Sequence, residues 1–309
     1  MPVYLPIAEM PIDMFFLLGI GAAVGFVSGL FGVGGGFLLT PLLVFIGVPP
    51  AVAVGSVSAQ VAASSASGAL SYWRRGAVDG RLALFLLASG MVGSGIGAWV
   101  FALLRRVGQL DLFIALSYAI LLGGIGAYML VESIGVLLAH RRGEEPPARR
   151  PRPHGPGRRL PLRVFFPKSR LVVSAIPIVA LGVGIGFFGT LLGIGGGFLI
   201  VPALIYLLRV PHGLVVGTSL VQMVATMAFA TFLQAAGNHT VDVVFAFVLM
   251  IGGVGGAQFG ASVGRRLRGE QLRVLLALLI LAVGLRFVAD LVMAPSEPWS
   301  LERVIGGAR

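Results

Sequence analysis

Two glycine triplets, Gly34-Gly35-Gly36 and Gly195-Gly196-Gly197, are the residues whose type and spacing point most directly to chemistry. Both sit in the same setting: Leu30 to Pro41 and Leu191 to Pro202 share eight of twelve residues at an offset of 161. Three consecutive glycines unwind a helix. Phe37 and Phe198 then open short apolar runs. A helix starting after such a break offers free backbone N–H groups and the positive end of its dipole, and the missing Cβ atoms let a ligand approach. That is an anion site made without a charged side chain. Unwound backbone at membrane depth is tolerated only where protein buries it or a cavity exposes it, and matched breaks in two halves point to a transporter's binding site. Close helix packing also uses glycine-rich faces. The duplication of the triplet favours a substrate-lining role.

Other polar residues recur at matched positions. Val54-Gly55-Ser56 corresponds to Val216-Gly217-Thr218, and Gln60 to Gln222, at an offset of 162. At helical spacing Ser56, Gln60 and Ser67 share a face, as do Thr218, Gln222 and Thr226. The glutamine amides can donate to an oxyanion, and they serve hydrogen bonding between helices equally well, at about 0.6 kcal/mol each. Ser64, Ser65 and Ser67 read as such helix-to-helix bonds. The candidate substrate-binding set is therefore Gly34, Gly35, Gly36, Phe37, Ser56 and Gln60, with Gly195, Gly196, Gly197, Phe198, Thr218 and Gln222. Asp79 and Asp242, matched at 163, read as helix N-caps, and Arg286 as the partner of Asp290 one turn on. There is no Cys, no HExxH and no Gly-Lys-Ser or Gly-Lys-Thr after either triplet. No metal, no cofactor and no catalytic group is expected, and the chain does not read as an enzyme.

The elements that must position these residues lie in a bilayer. Of 309 residues 57% are hydrophobic and 11% charged, with mean hydropathy +0.97, against about 25% charged in soluble domains. Apolar runs cover Ile12–Phe31, Phe37–Ile46, Ala51–Trp73, Leu82–Leu104 and Leu110–Leu138, and the pattern returns from Leu171–Leu192 to Leu272–Met293. The long runs suit helical spans of about 20 residues. The fold class is an all-α integral membrane protein with two inverted repeats of five membrane segments each, residues 1–139 and 171–309. Between them residues 140–170 carry seven prolines and ten basic residues, the composition of an extended linker. The N-terminus lacks a basic n-region, so the first run is expected to be retained as a span.

Charge sets the orientation. Five crossings per half, an odd number, invert the second half. With the linker in the cytoplasm, 18 basic residues fall inside and four outside, Arg286 lies within a span, and both termini are outside. The net charge of +11 is then a positive-inside bias, and no nucleic-acid partner is implied.

The paired Gly-x-Gly-Gly-Gly-Phe-Leu motifs, the Val-Gly-Ser/Thr…Gln segments, Val78-Asp79 with Val241-Asp242, and Gly93, Gly97, Ala98 with Gly256, Gly260, Ala261 resemble the TauE/SafE family of sulfite and organosulfonate permeases. The likeness spans roughly residues 12–139 and 171–293. It implies a secondary carrier of the bacterial inner membrane for small sulfur-containing anions such as sulfite, sulfonates or sulfoacetate. The expected mechanism is alternating access, one half rocking against the other about a site between the two breaks. A passive anion channel and a non-transporting membrane assembly protein are the alternatives. The partners expected are the anion and the lipid bilayer, with the oligomeric state, monomer or homodimer, left open.

Overall fold

The structure is a computed structural model that describes residues 2–31, 34–141, 163–166, 168–169, 171–206, 210, 212–264 and 269–292. The side chains of Glu132 and Asp290, and the linker residues 142–162, lie outside the described residues.

Among the described residues ten helices form, five in each repeat. They are α1 (Met14–Phe31), α2 (Gly36–Phe45), α3 (Pro50–Arg74), α4 (Gly80–Val107) and α5 (Leu110–Arg141), then α6 (Ala175–Leu192), α7 (Gly197–Tyr206), α8 (His212–Ala236), α9 (Val243–Gly264) and α10 (Gly269–Val292). Six contain apolar stretches long enough to cross a membrane among the described residues. The 25-residue α3 is not one of them, although its length suffices. Its serines lower its hydropathy, and in a bilayer a long helix of that kind must turn polar atoms toward protein or a cavity.

Two antiparallel hairpins precede the repeats, and the sequence reading missed both. β1 (Pro2–Leu5) pairs with β2 (Met10–Asp13), and β3 (Arg163–Phe166) with β4 (Leu171–Ser174). The spans expected from Ile12 and Leu171 therefore begin later, because Asp13 and Ser174 are N-caps. Asp13 Oδ1 accepts from the Phe15 N–H at 2.8 Å, and Ser174 Oγ from the Ile176 N–H at 3.3 Å. A lone hairpin is marginal in water, and each of these is tied down at its turn. Asp242 Oδ2 accepts from the Ile7 N–H (3.1 Å), and Asp79 Oδ2 from the N–H (3.0 Å) and hydroxyl (2.6 Å) of Ser169. The same two aspartates cap their own helices, Asp79 Oδ1 accepting from Leu82 N and Asp242 Oδ1 from Phe245 N. One buried carboxylate thus starts a helix and holds the hairpin that leads into another.

The principal helix contacts cross from one repeat to the other. Gly21, Gly25 and Gly29 of α1 lie against Leu249, Gly253 and Ala257 of α9, so these helices run parallel with their backbones touching. The equivalent pair repeats this: Gly93 and Gly97 of α4 lie against Val183 and Phe187 of α6. α3 packs on α8, with Gly68 against Leu220 and Gly217 against Tyr72 and Ala77, so that pair is antiparallel. α5 and α10 are also antiparallel, with Gly126 against Leu281 and Gly284 against Gly123. Small residues permit such approach, and in lipid close packing is a main source of helix association.

α2 is about 15 Å long, too short to span the hydrocarbon. Gly35, with φ 49°, lies beside Val24 and Ser28, so the chain has folded back along α1. Val48 beyond α2 is buried in the same core cluster as Leu5, Ala8 and Val52.

The α1–α9 contact yields a test. A Cβ on Gly25 would overlap the Gly253 carbonyl, whereas Gly95 on α4 has open space around it. Gly25→Val is expected to destabilise the protein by on the order of 1–3 kcal/mol, lowering the Tm in detergent by several degrees. Gly95→Ala should leave it unchanged.

Candidate functional site

The two breaks meet. Gly36 lies so close to the carbonyls of Gly193 and Ile194 that a Cβ would overlap them, and the Phe37 and Phe198 rings approach to 5.7 Å between centroids. Thr40 Oγ1 donates to the Gly193 carbonyl at 3.5 Å, and the Tyr118 hydroxyl to that of Leu192 at 2.7 Å. Phe37, Phe198, Thr40 and Tyr118 are all buried. Val61 of α3 and its equivalent on α8, Met223, fill the remaining space: Val61 lies against Gly36 and Gly195, and Met223 against Gly34. The centre is a packed knot of main chain, and of the twelve predicted site residues Gly34 is the one that lines the cavity beside it.

That open space is a cavity of about 390 Å³. It runs from Gly34 along α3 past Ser64, Ser67 and Ser71 to Arg75, with α1 (Ser28, Phe31), α8 (Leu220) and α9 (Gln258, Ser262) as its other walls. Arg75 is exposed, and Ser65 is 1% exposed. The cavity therefore opens at the end of the molecule where α3 finishes and the β3–β4 hairpin is held by Asp79. Its size falls in the range of small-molecule sites, about 300–1,000 Å³, and its lining has the usual mix of apolar wall and few polar groups. The Ser65 hydroxyl is buried without a hydrogen-bond partner, beside Gly34. Leaving such a group unpaired costs about 1–3 kcal/mol, which a bound acceptor would recover. Ser67 is engaged, its Oγ accepting from Gln258 Nε2 at 3.2 Å.

The other predicted residues are placed as follows. Ser56 Oγ accepts from the Asp242 N–H, and Thr218 Oγ1 from the Asp79 N–H, both at 3.1 Å, so each steadies the start of a helix in the other repeat. Gln60 and Gln222 are fully buried and face Gly253 and Gly90. Both amide atoms of Gln60 lack partners, while Gln222 Nε2 donates to Thr226 Oγ1 at 2.8 Å. Gly35, Gly36 and Phe37, with Gly195, Gly196, Gly197 and Phe198, form the knot. Arg286 lies over the Phe45 ring at 5.5 Å, and the side chain of Asp290, its expected partner, lies outside the described residues.

The serine stripe was visible in the sequence. Gln60, Ser64, Ser67, Ser71 and Arg75 recur at spacings of four, three, four and four, one continuous helix face. The sequence assigns Ser64, Ser65 and Ser67 to helix contacts and does not single out Ser71, because periodicity identifies a face and not what lies opposite.

The family profile described as "Sulfite exporter TauE/SafE" matches residues 17–287. The chain belongs to this family. It is accordingly a membrane transporter, multi-pass, in a lipid bilayer, and not an enzyme. A "Probable membrane transporter protein" of Xylella fastidiosa (strain 9a5c) is 32% identical over 272 residues, 87% of this chain and 92% of the relative. The "Probable membrane transporter protein YjnA" of Bacillus subtilis (strain 168) is 27% identical over 271 residues, 87% and 97%. The Arabidopsis thaliana "Sulfite exporter TauE/SafE family protein 3" is 32% identical over 127 residues, covering 39% of this chain and 26% of that protein. No solved structure matches. The interleaved pairing of α1 with α9 and of α4 with α6 thus describes this TauE/SafE transporter from its own contacts.

Absence of cysteine makes the cavity easy to probe. Ser71→Cys, which lines it, is expected to react with a membrane-impermeant methanethiosulfonate. Ser58→Cys, one hundred per cent buried on the same helix (0% exposed), should not react under the same conditions.

Proposed function

We propose that this chain carries a small oxyanion, sulfur-containing as in the family's description, across the inner membrane by alternating access. The cavity between Gly34 and Arg75 is its chamber in the state open to the cytoplasm. The observation that carries this reading is the buried, unpartnered Ser65 hydroxyl beside the Gly34 break at the closed end of a serine-lined cavity. Hydroxyl and backbone N–H donors suit an anion's oxygens, and the exposed Arg75 draws anions to the mouth by charge.

Inverted repeats are part of the proposal. The equivalent helices α3 and α8 run antiparallel, as do α5 and α10, which a two-fold axis in the membrane plane requires and an axis along the normal does not. The two termini then share one side and the 140–170 linker takes the other, the cytoplasmic one by its ten basic residues. The twelve residues of the two breaks and their flanking helices act on this reading as scaffold and gate, with Gly34 as the member that touches substrate.

A carrier is favoured over an open channel because the cavity ends at packed residues. Phe37, Phe198 and Met223 are at most 1% exposed between it and the far face.

The test is a thermal-shift and proteoliposome-flux screen against sulfite, thiosulfate, sulfonates, sulfate and short carboxylates. At least one of these anions is expected to raise the Tm and to move across the membrane saturably. Ser65→Ala should weaken its binding by about tenfold or more, as for loss of a hydrogen bond to a charged group, at unchanged fold. Arg75→Gln should reduce the salt dependence of the on-rate. A Ser65→Ala protein with undiminished affinity would sink the assignment.

A further inference from the structure

The cavity has a counterpart that is shut. The repeat offsets map its lining onto the second half: Ser28 and Gly29 correspond to Gly189 and Thr190, Gly34 to Gly195, and Ser64 and Ser65 to Thr226 and Met227. These residues gather around the second break as the first set does around its own. Where Ser65 leaves room above Gly34, Met227 does not. Its methyl group stands 3.0 Å from where a Cβ on Gly189 would be, and Met227 is 0% exposed. Behind it are two polar atoms with nowhere to bond. Thr190 Oγ1 and Gln222 Oε1 lack hydrogen-bond partners, and both residues are 0% exposed.

The two halves also differ in the turn that carries the plug. In the shut half, Gln222 Nε2 donates to Thr226 Oγ1, and that hydroxyl donates to the Gln222 carbonyl, both at 2.8 Å. In the open half the equivalent Gln60 makes neither bond, and Ser64 donates to the Val61 carbonyl at 3.2 Å. The shut half therefore has an amide fastened to the residue just before Met227, and the open half has that fastening undone.

We infer that the second repeat holds a sealed anion station, with Thr190 and Gln222 as its polar groups and Met227 as the plug that closes it toward the face opposite Arg75. The inference rests on the reading of the Gly34–Arg75 cavity as an anion chamber. It differs from a single central site: the anion passes between two stations, one per repeat, across the Val61–Met223 knot. The Thr190 hydroxyl can donate to an oxyanion as it stands, the Gln222 amide can turn an N–H to it once its bond to Thr226 breaks, and neither carries a charge that would hold the anion fast. A thioether chain is well suited to a plug, since its three rotatable bonds let it leave and refill an irregular gap.

Thiol labelling in this cysteine-free chain tests it, with anionic sulfonatoethyl methanethiosulfonate as the probe. Ser71→Cys defines the reference face by the side from which it labels. Thr190→Cys alone is expected to stay unlabelled from either side. Combined with Met227→Ala it should label, at least tenfold faster and from the face opposite the reference. Combined with the volume-conserving Met227→Leu it should label slowly, which shows that the effect follows the plug and not a loosened fold. Labelling of the Thr190→Cys, Met227→Ala protein from the reference face, or no labelling while Ser71→Cys still reacts, would overturn the sealed station and leave the open cavity intact. Loss of Ser71→Cys reactivity in the otherwise unaltered protein would instead remove the anion-chamber reading itself, and this inference with it.

Discussion

The rest of the structure depends on backbone touching backbone between α1 and α9 and between α6 and α4. Lipid tails are as apolar as leucine, so burying side chains against each other gains little in a bilayer, and close approach supplies the attraction. Gly21, Gly25 and Gly29 on one helix meet Gly253 and its neighbours on the other. The parallel run of these pairs fixes where the chain is when α1 and α6 end. Both breaks are then delivered to the same place, with Gly36 against the Gly193 carbonyl. The glycine triplets and the glycine ladders are thus one device. The ladders set the distance between main chains, and the triplets let the main chain turn inside it.

This packing changes how movement must be partitioned. Because α1 lies on α9, α4 on α6, α3 on α8 and α5 on α10, each repeat is embedded in the other. Rocking residues 1–139 against 171–309 would break every one of those contacts together. Asp79 and Asp242 add ties of the same kind, since the backbone N–H of Asp79 donates to Thr218 Oγ1 and that of Asp242 to Ser56 Oγ, each in the other repeat. The two repeats, as sequence units, are not mechanical units.

The duplication, the breaks, the linker composition and the two aspartate caps were all legible in the sequence, because each is a local signal: a residue type at a fixed spacing on one segment. What was not legible depends on what stands opposite. Ser56 and Thr218 looked like pocket residues and are bonded to aspartate backbone groups across the repeat boundary. Ser65 looked like helix glue and faces a cavity without a partner. Both are small hydroxyls on a helix face, and only tertiary contact separates them. The hairpins were missed for a different reason. Four-residue strands ahead of long apolar helices share the helices' hydropathy, and the N-caps that separate them, Asp13 and Ser174, are single residues.

The two halves carry the same order of helices and different side chains, and that difference bears on how the proposed inverted repeat becomes directional. If the repeats were chemically equivalent, their open and shut forms would be interchangeable in energy. Ser64 and Ser65 opposed to Thr226 and Met227 remove that degeneracy. A serine-lined space is stable filled with water or solute, since its hydroxyls find partners there. A methionine-filled one is stable dry, since its methyl group packs against Gly189. On the proposed reading this is why the cavity lies on the serine side. Opening the other side needs the Gln222–Thr226 bond to break and the Met227 contact to be given up. A ligand can shift that balance only by binding the second state more tightly than the first. The unpartnered Thr190 hydroxyl, and the Gln222 N–H once it is released from Thr226, are where such a difference can arise, because both can donate to an oxyanion that reaches them. In the proposed two-station carrier, directionality is then set by which plug is costlier to displace, and not by the helix order, which both halves share.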